Sequence, residues 1–132
     1  MIYGVGADLL RIERGEQLWQ RHGERAAAKL LHLAERPGLA ASRNPGHYLA
    51  RAFSAKEAFV KALGTGFRGV SYHDVGAVRA PEQRPQLVFS EAMQARLQQL
   101  GITGAHLSFS DEGGMILAFV VLETSGEPAV IR

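Results

Sequence analysis

The sequence predicts an α+β fold, an antiparallel sheet packed against helices, in a single domain spanning residues 1–132. Three observations carry this expectation. Apolar, strand-like stretches open and close the chain, and the last two flank the turn signal Asp111-Glu112-Gly113-Gly114. Stretches of helical period with start and stop signals lie between them. The length, 132 residues at 46% hydrophobic, suits one domain with its own core.

Taken in order, Ile2 to Ala7 reads as a strand, with Tyr3, Val5 and Ala7 alternating with Ile2, Gly4 and Gly6. Glycines in a strand mark close backbone approach or a bend. Asp8 follows at the strand's end, where it either projects into a site or caps a helix expected from Leu9 to about His22. At 100° per residue, Arg11, Arg14, Leu18 and Arg21 fall within an arc of roughly 80° on that helix. Ile12 and Trp19 lie on another side, toward the core. After a break at Gly23, Glu24 to Glu35 continues as helix, with Ala27, Leu30, Leu31 and Leu33 available for burial and Pro37-Gly38 as its end. Residues 38–46 form a turn-rich connection, the best candidate for a mobile segment, and His47 to Ala52 a short helix.

The central stretch is Phe53-Ser54-Ala55-Lys56-Glu57-Ala58-Phe59-Val60-Lys61-Ala62-Leu63-Gly64. Ser54 and Glu57 match a capping box, so a helix is expected to open at Ser54. Phe59, Ala62 and Leu63 face a core, and Gly64 and Gly66 around Thr65 end the helix. Glu57 and Lys61 stand one turn apart, an arrangement that a stabilising i,i+4 ion pair explains by itself. Further on, residues 67–73 are glycine-rich with little periodicity, Asp74 to Arg79 reads as a strand, 81–85 as a turn, and Gln86 to Phe89 as another strand. Ser90 caps an amphipathic helix to Leu100 with Met93, Leu97 and Leu100 inward and Gly101 as its stop. Ala105 to Ser110 and Met115 to Glu123 are the closing strands, and Val120, Val121 and Leu122 make the last one apolar enough to be central.

Composition narrows the function classes. No run of 18 apolar residues offers a membrane span, and the start lacks the basic and apolar regions of a signal peptide. Without cysteine there are neither disulfides nor thiolate metal sites, so a soluble cytoplasmic protein is expected. Net charge is +2, yet residues 11–68 hold eleven Lys/Arg against five Asp/Glu. That surplus suits phosphate groups, an acidic protein or nucleic acid. The nucleic-acid reading predicts aromatics among the arginines, and Trp19 alone qualifies.

Two motifs together resemble the 4'-phosphopantetheinyl transferases, in particular the holo-acyl-carrier-protein synthase type. The first is Gly6-Ala7-Asp8-Leu9-Leu10 with Arg14 in place; the second matches at Phe53, Lys56, Glu57, Ala58, Lys61, Ala62, Gly64 and Gly66. The resemblance covers residue 2 to about 123. It implies transfer of the phosphopantetheine arm of coenzyme A to a serine of apo-acyl carrier protein, in support of fatty acid biosynthesis, with adenosine 3',5'-bisphosphate leaving. It further implies magnesium held by Asp8 and Glu57, and Lys61 reaching a phosphate oxygen from the same helical face as Glu57. Arg51 and Gly64 are expected near the coenzyme, while Lys56 points either to coenzyme phosphate or to the surface. Arg11, Arg14, Leu18 and Arg21 would dock the acidic recognition helix of the carrier; a solvated basic face is the commoner meaning of such a stripe, and the two motifs favour docking. Family members of this length commonly act as homotrimers with sites between subunits.

The proton acceptor departs from the pattern. Many members carry a histidine after the S-x-S of the penultimate strand, whereas this chain reads Ser108-Phe109-Ser110-Asp111. Aspartate is a weak base near neutral pH, which favours a metal-bound water in that role. His106 falls on the opposite strand face from Asp111, and His22, His32, His47 and His73 have no ligand spacing and read as surface residues. A non-catalytic module binding carrier protein or nucleotide is the alternative; intact Asp8, Glu57 and Lys61 argue against it.

Overall fold

In the computed structural model, which describes residues 1–125, strand β1 (Ile2–Arg11) leads into α1 (Ile12–His22) and α2 (Glu24–Leu30). A 3-10 turn at Leu33–Glu35, α3 (Arg36–Ala41) and the long α4 (Pro45–Leu63) follow. Then come β2 (Val75–Val78), β3 (Gln86–Phe89), α5 (Glu91–Gln99), β4 (Ile102–Glu112) and β5 (Met115–Thr124). Residues 126–132 of the expected domain lie outside this description. The main sheet has the order β1-β5-β4, antiparallel throughout, and β2 and β3 form a separate two-stranded ribbon. The α+β expectation holds, and β5 is central as its apolar run requires.

Helix α4 is the axis of the molecule. Ala55, Ala58, Phe59, Val60, Ala62 and Leu63 bury one side against Leu107, Ala118, Val120 and Leu122 of the sheet and Met93 and Leu97 of α5. Ala52 and Leu49 pack on another side against Ala27, Leu31 and Leu39, with Trp19 and Leu18 joining that cluster. Glycine sets how closely β1 can approach α4. A Cβ on Gly4 would sit 1.9 Å from the Ala62 carbonyl oxygen, and one on Gly6 1.9 Å from that of Ala58. Any side chain there would force strand and helix apart, so the backbones themselves are in contact. Gly4, Gly6 and Asp8 share a strand face, and this contact therefore aims Asp8 at the helix.

Several boundaries differ from the sequence reading. Strand β1 continues to Arg11 because Leu9, Leu10 and Arg11 remain paired with Leu117, Ile116 and Met115. Leu10 is thereby buried with Ile116 and Ala50, a burial that a helix starting at Leu9 would forgo. Asp8 is thus a strand residue, and Arg11 precedes α1 rather than lying on its basic face. The capping box at Ser54 does not exist: α4 is continuous from Pro45, capped by the Asn44 side chain, which accepts from His47 N–H at 3.1 Å. Ser54 is fully buried in mid-helix, and its hydroxyl donates to the Asp8 carbonyl at 3.2 Å. Pro37-Gly38 begins α3, where proline fits the first turn, instead of ending a helix. α2 stops at Leu30, leaving Leu33 83% exposed, and Leu100 is exposed beyond α5. The Ser90 cap, accepting from Met93 N–H at 3.1 Å, and the left-handed Gly64 after α4 are as expected.

Candidate active site

Asp8, Glu57 and Lys61 converge where β1 crosses α4. Lys61 Nζ donates to Asp8 Oδ1 at 3.3 Å and to the Ala7 carbonyl at 3.0 Å. The Asp8 side chain is 13% exposed, and its Oδ2 is buried with no hydrogen-bond partner. Burial, and next the nearby Asp8 carboxylate, push the Glu57 carboxyl above its ordinary value; Lys61 and Arg14 pull partly the other way. Two carboxylates thus share a partly desolvated place with one ammonium, half of which remains open to solvent. Gly64 closes the helix one turn beyond Lys61 with open space beside it. Among the described residues, no three His, Cys, Asp or Glu gather as a ready-made metal site.

Lys56 and Arg51 lie elsewhere. Lys56 is fully buried rather than at the surface: its ammonium donates to Glu35 Oε1 at 2.6 Å and to the Val75 carbonyl. Glu35, equally buried, also accepts from the backbone N–H groups of His32 (2.9 Å) and Ala77 (3.0 Å). This closed network ties α4 to the 3-10 turn and β2. Arg51 lies over the Phe109 ring, 4.5 Å from its centroid, on the wall of a cavity of about 370 Å³ that Tyr48, Arg79 and Pro85 also line. Its Nε is buried without a partner. Burial lowers the guanidinium pKa, with Asp111 opposing and Arg79 adding to the shift.

The basic face of α1 is divided. Arg14 and Leu18 line a cleft of about 580 Å³ between α1, α2 and α4, and Arg25 and Lys29 of α2 extend its basic rim. Leu30, Phe53 and Tyr72 give it an apolar floor. Arg21 is exposed outside this lining, and Arg11 belongs to the strand. On the far side of the sheet, Ile2, Val5, Leu9, Leu117 and Phe119 form an exposed apolar face, Leu9 being 63% exposed. His47, expected as an isolated surface residue, instead places Nε2 2.9 Å from Asp111 Oδ2.

Residues 4–118 match the 4'-phosphopantetheinyl transferase superfamily. The chain belongs to this family. This phosphopantetheinyl transferase is 44% identical over 126 residues to the holo-[acyl-carrier-protein] synthase of Thiobacillus denitrificans, covering 95% of this chain and 96% of that one. The crystal structure of holo-[acyl-carrier-protein] synthase from Neisseria meningitidis superposes with a TM-score of 0.87 at 38% identity, covering 94% and 100% of the two chains. An ACPS–CoA complex from Chronobacterium ammoniagenes superposes at 0.73 with 25% identity, covering 93% and 98%.

Two features of the transferase escaped the sequence reading. Arg25 and Lys29 are one turn apart on α2, a spacing that would have joined them to Arg14 had the α1–α2 packing been foreseen. The His47–Asp111 pair spans 64 positions, and no local pattern signals it.

Proposed function

We propose that this phosphopantetheinyl transferase moves the 4'-phosphopantetheine group of coenzyme A to a serine of apo-acyl carrier protein, releasing adenosine 3',5'-bisphosphate, as part of fatty acid biosynthesis in the cytoplasm. The observation that carries the site assignment is the meeting of Asp8, Glu57 and Lys61, with Asp8 Oδ2 left unpartnered. A buried carboxylate oxygen without a donor, beside a second carboxylate disfavoured in its charged form, is relieved by a hard cation. Asp8 and Glu57 fit magnesium, which is commonly held by one or two carboxylates with phosphate and water completing the shell. Bound there, the ion would supply Lewis-acid stabilisation of charge on the pyrophosphate.

The residues of the chain do the remaining work. Lys61, already fixed by Asp8 and the Ala7 carbonyl, offers its open side to a phosphate oxygen as a point charge. Gly64 leaves space for the coenzyme beside the end of α4. Arg51, with an unpartnered Nε on a cavity shared with Arg79, suits another phosphate of the coenzyme. The cleft rimmed by Arg14, Arg25 and Lys29 and floored by apolar side chains suits an acidic helix with an apolar anchor; Leu18 is part of it. Arg11 and Arg21 would act only at its periphery. The apolar outer face of the sheet supports self-association, for which we propose a homotrimer. No helix among the described residues is long and apolar enough to cross a membrane.

The test is mass spectrometry of apo-acyl carrier protein incubated with the protein, coenzyme A and magnesium, beside Glu57→Gln. The expected result is a carrier heavier by one phosphopantetheine, absent with the variant. Coenzyme A binding without modification of any carrier would favour a binding module.

A further inference from the structure

We propose that His47 and Asp111 form the proton-accepting pair of this transfer, acting on the Asp8–Glu57–Lys61 cluster of a neighbouring copy in the homotrimer proposed above. The inference rests on the transferase reading above and assigns a proton acceptor that reading leaves open. The pair joins the first turn of α4 to the end of the edge strand β4, with Nε2 and Oδ2 2.9 Å apart. Their side chains are 33% and 41% exposed, so neither needs the other to satisfy a buried polar atom. At such exposure an ion pair adds little to stability, and stability is a poor reason for this geometry. The chemical consequence is sharper. With Asp111 accepting from Nε2–H, the imidazole is oriented and its lone pair stands on Nδ1, the tautomer logic of carboxylate-oriented histidine bases.

The surroundings suit the role. Asp111 feels the charge of Arg51, one turn along α4 from His47, and Arg51 faces the cavity it shares with Arg79. A phosphate of the coenzyme held there would bring the donor close to the pair. The same chain's carboxylate cluster is out of reach: ten residues of helix separate His47 from Glu57, about 15 Å of rise. A proton acceptor must come within roughly 3 Å of the hydroxyl it deprotonates. A second copy can meet that requirement, and the exposed apolar sheet face supplies a reason for copies to associate. In the step, the carrier serine O–H gives its proton to Nδ1 as its oxygen bonds the β-phosphorus. The bond from that phosphorus to the bridging oxygen breaks, and its electron pair leaves with adenosine 3',5'-bisphosphate. The imidazolium then returns its proton to water.

Steady-state transfer by His47→Ala and His47→Gln, with coenzyme A and apo-acyl carrier protein, tests this. The glutamine amide can still donate to Asp111 but takes no proton, so it separates orientation from base chemistry. Both variants are expected to lose roughly 10²–10⁴-fold in kcat, with KM for coenzyme A changed little and imidazole partly restoring His47→Ala. Subunit exchange between His47→Ala and Glu57→Gln should yield mixed oligomers more active than either parent. A His47→Gln enzyme within about threefold of wild type overturns the assigned base. A mixture no more active than its parents overturns the second copy. A wild type that transfers nothing overturns the transferase reading itself, a failure distinct from either.

Discussion

Replacing Lys56 with Met separates a structural lysine from a coenzyme ligand. Methionine nearly matches the lysine stem, so the cavity left behind is small and the main loss is the ammonium. Glu35 then stays fully buried with two backbone N–H donors and no counter-charge, and the Val75 carbonyl loses its donor. Removing one partner of a buried pair costs about 3–5 kcal/mol, a third or more of the stability of many domains. Urea unfolding at fixed protein concentration should therefore show a lower midpoint with an unchanged slope. Lys56→Met/Glu35→Gln should recover part of the loss, because the stranded charge is gone; one amide donor would still face Ala77 N–H or His32 N–H. Under conditions where Lys56→Met is folded, KM for coenzyme A should match wild type. A stability loss below about 1 kcal/mol would refute the buried-pair argument, and a raised KM with normal stability would return Lys56 to the coenzyme.

Three other perturbations follow from the same structure. Burial, then the Lys56 charge, hold the His32 pKa below its ordinary 6.5, and Ala34 N–H donates to its Nδ1. The unfolded chain therefore takes up this proton first, so the stability His32 contributes is present above 6.5 and lost as pH falls below it. His32→Asn, which can still accept from Ala34, should flatten that part of the urea midpoint–pH curve; an unchanged curve contradicts it. Glu57 has the opposite sign: its pKa is raised above 4.5, so it costs stability as pH rises through the raised value, and Glu57→Gln should melt higher at neutral pH while losing transfer. Thermal melts check this, and a lower melting temperature would contradict it. Arg25→Glu/Lys29→Glu should raise KM for carrier protein tenfold or more, on the order of 1–2 kcal/mol, and leave KM for coenzyme A unchanged in initial-rate assays.

What was legible in the sequence was whatever local pattern dictates. The strand alternation of 2–7 and the Ser90 cap appeared where expected, and so did the glycine-ended helix at 64 and the hairpin around Gly113-Gly114. The meeting of Asp8 with Glu57 and Lys61 follows from the family resemblance and from no local pattern; in the structure Gly4 and Gly6 let strand and helix backbones touch, and Lys61 donates to Asp8. The misreadings share a cause: a tertiary partner claimed a group whose local pattern suggested another use. Ser54 fitted a capping box, yet its hydroxyl goes to the Asp8 carbonyl across 46 positions. Leu9 to Arg11 looked ready to start a helix, yet pairing with β5 extends the strand. Lys56 has no local signal of burial, and Glu35, 21 residues away, holds its ammonium in the interior. His47 lacked ligand spacing because its partner is on the other side of the chain's length.

The most direct test of the central claim is the mass of apo-acyl carrier protein after incubation with coenzyme A, magnesium and wild type, Asp8→Asn or Glu57→Gln. The account predicts a carrier heavier by one phosphopantetheine with wild type and unchanged mass with either variant, each of them folded by circular dichroism. Full modification by a folded Asp8→Asn or Glu57→Gln enzyme would contradict it, since the meeting of those two carboxylates with Lys61 would then not be where the transfer is made.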